Sequence, residues 1–252
     1  MIQGGPFRMA VESDYSPAVV ARRIKAARPG SDEIPSQWQA KRELAASMRQ
    51  LLDCLSATDA PEQDLRASAA EISAIAARYA EKPVMREPPG VAEVALSGME
   101  TFHDRSPVIG HSNPIAPPLE FAPDAEAQTV SGIGFFGHAY EGAPGCVHGG
   151  FIATAFDELL GMACIFSGHP GMTGRLEVTY RSPTPLRSEL RFEGRFDRLE
   201  GRKIYTSAEV YAGERLCAES TGLFIAIDRS RFEALARDRG ERLAPRDPDA
   251  SD

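Results

Sequence analysis

The 252-residue sequence predicts an α+β domain in which an antiparallel sheet wraps around one long central helix, preceded by an N-terminal helical hairpin. Three observations predict it. A single long apolar helical pattern sits at about 149–167, four segments of near ten residues follow it with period-two alternation in several, and two amphipathic stripes precede it.

Residues 1–33 mix charges, contain Gly4, Gly5, Pro6 and Pro29, and hold no period, which predicts a flexible arm. Order begins near Pro35. Leu44, Met48, Leu51, Leu52 and Leu55 form one helical stripe. After "TDAPEQD", which offers capping residues and a proline, Leu65, Ala69, Ile72, Ala76 and Tyr79 form a second. Both stripes are expected to pack against the main domain or its partner. "EKPVMREPPG" ends this unit as a linker, so that residues 34–90 form the hairpin and linker, 91–228 the main domain, and 229–252 a charged, disordered tail.

In the main domain "HSNPIAPPLEF" and the glycine-dotted "TVSGIGFFGHAY" lead to the helix. After it come "TGRLEVTYRS", "SELRFEGRFDRL", "RKIYTSAEVYAG" and "ERLCAESTGLFIAI". Leu190, Phe192 and Phe196 face one way, and Arg191, Glu193 and Arg195 the other. "LEGR" and "AGER" are short enough for hairpins, which predicts an antiparallel meander.

A net charge of −8 and a pI near 5.3 argue against nucleic acid or an anionic membrane as partner. No signal-peptide pattern and no 18-residue apolar run is evident, so a cytoplasmic protein is expected. Cys54, Cys146, Cys164 and Cys217 show no CxxC spacing and read as four buried thiols, while the five histidines lack ligand spacing, so no metal is expected. "GIGFFG" at 132–137 matches GxGxxG, but Gly142, Pro144 and Gly145 follow it instead of a helix, and no dinucleotide or other cofactor is expected. No GxSxG offers a nucleophilic serine.

The chemistry concentrates in "GCVHGGFIATAFDELLG", 145–161. Gly149 and Gly150 leave bare backbone at a helix start, where unpaired N–H groups and the helix dipole suit a developing oxyanion. Ile152, Ala155, Phe156, Leu159 and Leu160 form the buried stripe. Asp157 lies on a neighbouring row among Ala153, Gly161 and Cys164, whose small side chains leave room for a substrate or partner chain. Glu158 reads as an ordinary solvated acid. Seven residues separate Gly150 from Asp157, about 10 Å along the axis, so both groups can meet at one carbonyl only if two helix copies lie antiparallel in a dimer.

"VHGGFIATAFDELLG", "MTGRLEVTYRSPTPL" and "LEGRKIYTSAEVY…ERLCAESTGLFI" together resemble a PaaI-like hotdog-fold acyl-CoA thioesterase, over residues 105–228. The resemblance implies an acyl-CoA substrate and a homodimer, possibly a tetramer, with sites at its interface. It implies that the Gly149 amide polarises the thioester carbonyl, that Asp157 of the other subunit acts as nucleophile or base, and that Thr173 assists. His148 would fix the loop. Some family members carry Asn or Gln six residues before the histidine, where this chain has Gly142; Asn113 or His138 could take that part. Between 173 and 203 eight basic residues face five acids, and Arg202 and Lys203, on a turn, are the choice for coenzyme A phosphates. A thioesterase for carrier-protein-bound chains and a non-catalytic acyl-CoA-binding module are the alternatives.

Overall fold

Among the described residues, period-two segments fold into six strands and the 3.6-residue patterns into three α-helices: α1 (Ser36–Ala57), α2 (Glu62–Ala80), β1 (Glu120–Asp124), β2 (Thr129–Phe135), α3 (Gly149–Ala163), β3 (Gly171–Tyr180), β4 (Glu189–Glu200), β5 (Lys203–Ala212) and β6 (Arg215–Ala226). The structure, a computed structural model, describes residues 36–83 and 103–227. The expected arm at 1–33, the linker beyond residue 83 and the tail at 229–252 lie outside the described residues.

The strands make one antiparallel sheet in the order β1-β2-β4-β5-β6-β3. "LEGR" and "AGER" form the predicted hairpins, through Gly201–Arg202 and Gly213–Glu214, each glycine at positive φ. The expected meander fails at one place: β3 pairs with β6, not with β4. Residues 181–188 between them hold Pro183 and Pro185. The Arg181 and Ser182 N–H groups both donate to the Cys217 carbonyl, which turns the chain away from a tight hairpin. β3 is thereby an outer edge of the sheet.

The sheet curls around α3, giving the hotdog arrangement. Ile152, Ala155, Phe156, Leu159 and Leu160, the predicted stripe, are each at most 1% exposed and pack with Phe192, Leu190, Ile204 and Phe224. Each large side chain so buried contributes about 1.5–3 kcal/mol. By length and composition alone Gly149–Ser167 could cross a membrane, contrary to the expectation of no such run; here the sheet covers its apolar face. The thiols also differ from expectation, since Cys164 and Cys217 are buried but Cys54 is exposed and Cys146 only half-buried.

The N-terminal helices form where the periodicity placed them, yet α1 docks by its polar flank. Arg42 and Asp104 make a buried ion pair, Arg49 donates to the carbonyls of His111 and Asn113 at 3.0 Å each, and Asp53 accepts the His138 N–H. The apolar stripe of α1 stays exposed, and α2 buries no residue at all.

Candidate active site

α3 starts at His148, whose backbone is extended (φ −60°, ψ 131°) and whose Nδ1 accepts the Gly150 N–H at 3.0 Å. The imidazole takes the capping role usual for Ser or Asp and must carry its proton on Nε2 to do so. The Phe151 and Ile152 N–H groups go to the His148 carbonyl at 2.9 and 3.4 Å. That leaves the Gly149 N–H without an acceptor among the described residues. Of the glycine pair, Gly150 therefore offers bare backbone but no free amide, while Gly149 offers the donor.

The loop before it is closely packed. His148 N–H donates to the Tyr140 carbonyl at 2.9 Å, and a Cβ on Gly142 would lie 2.7 Å from the His148 Cα. No side chain fits six residues before the histidine, so Gly142 is a backbone contact point and cannot be a water-orienting polar group. Neither proposed substitute is brought there. Asn113 spends its side chain inside its own loop, donating to the Arg105 carbonyl at 3.1 Å and accepting the Ile115 N–H at 3.1 Å. His138 meets Arg187 at 2.9 Å, below α1.

Tyr180, absent from the sequence reading, completes the helix start. Its Oη donates to the Gly149 carbonyl at 2.7 Å, and its ring occupies the space a Gly149 Cβ would approach within 3.2 Å. The signal that could have found it is the alternation Leu176, Val178, Tyr180, which points all three toward α3.

Asp157, half-buried, faces the open flank of α3 with Ala153 and Gly161 beside it. Thr173 Oγ1 donates to Asp157 Oδ1 at 2.8 Å. Counted along β3, Thr173 has the wrong parity to share a face with Leu176 and Tyr180. A β-bulge between Thr173 and Arg175 absorbs one residue, so Thr173 pairs opposite the buried Phe224 and turns to the helix.

Glu158 is not the solvated acid expected. Burial pushes its carboxyl up to about 7, against a hydrogen bond from Ser106 that lowers it, with Asp157 nearby adding to the rise. Ser106 Oγ accepts the Val108 and Ile109 N–H groups at 3.1 and 3.2 Å, so its own proton is free for Glu158. Cys164, nearly two turns beyond, is held by burial well above the ordinary thiol range and bonds the Leu160 carbonyl, a structural thiol.

Of the eight basic residues between 173 and 203, five pair with carboxylates: Arg175, Arg181, Arg191, Arg195 and Arg198. Arg202 instead donates twice to the Ala226 carbonyl at 3.2 Å, and Lys203 is exposed. Lys203 pairs with Ile225, and Thr173 with the adjacent Phe224, so this basic turn lies at the Asp157 end of the sheet.

Residues 144–219 match the thioesterase superfamily. Over 90 residues the chain is 39% identical to acyl-coenzyme A thioesterase THEM4 of Mus musculus, covering 35% of this chain and 39% of that protein. The Bos taurus THEM4 is 40% identical over 90 residues, covering 35% and 37%. The chain thus spans about two-fifths of the length of these curated relatives. A solved thioesterase superfamily protein superposes with a TM-score of 0.65 at 29% identity, covering 73% of this chain and 90% of its own.

Proposed function

We propose that this chain hydrolyses an acyl-coenzyme A thioester to a carboxylic acid and free coenzyme A, in a site shared by two protomers. The carrying observation is the placement of two chemically matched groups on one helix, the unpaired Gly149 amide at its start and the Thr173-bonded Asp157 on its open flank. Eight residues separate them, about 12 Å along the axis, too far to serve one carbonyl. A second helix laid antiparallel beside the first brings each Asp157 to the other protomer's Gly149. The exposed flank favours this: Gly150, Phe151 and Thr154 of α3 and nearly the whole of β3 are open in a single protomer.

In this reading the thioester oxygen receives the Gly149 N–H, and the negative charge that builds on it is stabilised by that donor and by the helix dipole. Asp157 takes a proton from water as the water oxygen attacks the carbonyl carbon. Collapse of the tetrahedral intermediate breaks the C–S bond, and the proton passes from Asp157 to the departing thiolate. Thr173 fixes one carboxylate oxygen and leaves the other for the water. Arg202, whose guanidinium meets the Ala226 carbonyl, and the exposed Lys203, which faces Glu200 across the β4–β5 hairpin, are assigned to coenzyme A phosphates. Asp157→Ala, assayed by thiol release from acyl-CoA, is expected to lose at least about 10³-fold in kcat with the fold intact; equal turnover in the variant would refute the assignment.

A further inference from the structure

α1 is amphipathic in an inverted sense. The flank that meets the domain is polar, built from Arg42, Arg49 and Asp53 around Ala45, while Leu44, Met48, Leu51, Leu52 and Leu55 are 38–53% exposed. On a helical wheel the two sets lie about 130° apart, so docking α1 on its own domain does nothing for the leucines. In α2 every residue is exposed, Leu65, Ile72, Ile75 and Tyr79 among them.

The spacing says what kind of surface covers these stripes. Leu44, Met48, Leu51 and Leu55 step by four, three and four. Leu65, Ala69, Ile72, Ala76 and Tyr79 step by four, three, four and three. Both are heptad seams with a 3.5-residue period, the pattern that matches another α-helix, not a sheet or an extended peptide. Ala69 and Ala76 allow close approach of the facing backbone. Most helical stability in proteins comes from packing of an amphipathic face, and α2 buries none of its residues, so α2 lacks that support without a packing partner.

We propose that α1 and α2 form a self-association surface, in which the heptad seams of one chain pack against those of a second copy in a two-fold helical cluster. A second copy fits because it brings the same seams in the same lengths, as an isologous contact requires. The nine large side chains, each at least 38% exposed, offer roughly 600 Å² per protomer, so two copies bury about 1,200 Å², within the range of a specific interface. The contact is separate from the α3–β3 flank used in the proposed function and does not rest on that function being right.

The test is the full chain with the double substitution Leu51→Lys and Ile72→Lys, compared with wild type by sedimentation equilibrium, with hydrogen exchange of α2 as a second measurement. Halving of the assembly mass, together with at least 10-fold faster exchange in α2, is the expected result. An unchanged mass overturns the proposal, whether α2 stays protected by closing on its own α1 or exchanges freely in both proteins. Milder Leu51→Ala and Ile72→Ala changes should raise the dissociation constant at least 10-fold without unfolding the helices. Thioester hydrolysis is read separately in the same samples: mass halving in a protein that never hydrolysed thioesters would sink only the proposed function, and an unchanged mass in an active enzyme only this interface.

Discussion

Replacing Glu158 by glutamine should change how stability depends on pH. An ordinary glutamate titrates near 4.5, and in the fold this one titrates at about 7, chiefly because burial disfavours its charge. The folded chain therefore holds the Glu158 proton more tightly than the unfolded chain. This stabilisation is complete below about pH 4.5 and is lost as pH rises through about 7. At 1.36 kcal/mol per factor of ten, the gap corresponds to about 3 kcal/mol; because solvent still reaches the half-buried side chain, about 2 kcal/mol is expected. The amide of the Glu158→Gln variant cannot ionise and can still accept from Ser106. Urea unfolding of both proteins at pH 5, 6, 7 and 8 reads the difference directly. The variant should gain about 1.5 kcal/mol on wild type across that interval, the remainder of the change falling below pH 5. A constant difference, or one that moves in favour of wild type as pH rises, would refute the reasoning.

Thr173→Val keeps the shape of the residue that meets Asp157 and removes its hydroxyl, so kcat should fall about 10-fold with KM little changed, and Thr173→Ser should restore most of the loss in steady-state assays. Asp104→Ala leaves Arg42 buried without its carboxylate, and chemical unfolding should show a loss of about 3–5 kcal/mol. Pairing Asp104→Leu with Arg42→Met should recover most of it.

Much of the fold was legible because the signals were local. The stripe Ile152, Ala155, Phe156, Leu159, Leu160 and the Gly201 and Gly213 turns follow from spacing and turn chemistry within a few residues. The placement of β3 beside β6 was not legible, since strand order depends on contacts some forty residues apart. The glycine pair and Asp157 could be singled out from the helix start and its small-residue row. The alternation Leu176, Val178, Tyr180 could have placed Tyr180 toward the helix, but not its bond to the Gly149 carbonyl; the Thr173 bulge and the Gly142–His148 contact depend on register or on a close backbone approach that no spacing rule carries. Glu158 misled because its partner, Ser106, lies in a loop some fifty residues upstream. The leucine stripe of α1 was legible as an apolar face, but periodicity does not say whether the protein's own domain or a partner covers it.

The division of the site between protomers is open to direct measurement by complementation. Gly149→Pro removes the amide that donates to the oxyanion at a first helical position where proline's backbone fits, since His148 at φ −60°, ψ 131° already has the backbone a following proline requires; the Tyr180 ring, 3.2 Å from a Cβ there, gives by a few tenths of an ångström. Asp157→Ala removes the base. Each variant alone should be nearly inactive, whereas subunits exchanged at equal amounts should form mixed dimers holding one intact site, restoring about a quarter of wild-type turnover. A mixture no more active than its separate components would show that Gly149 and Asp157 do not meet across an interface, and would contradict the account.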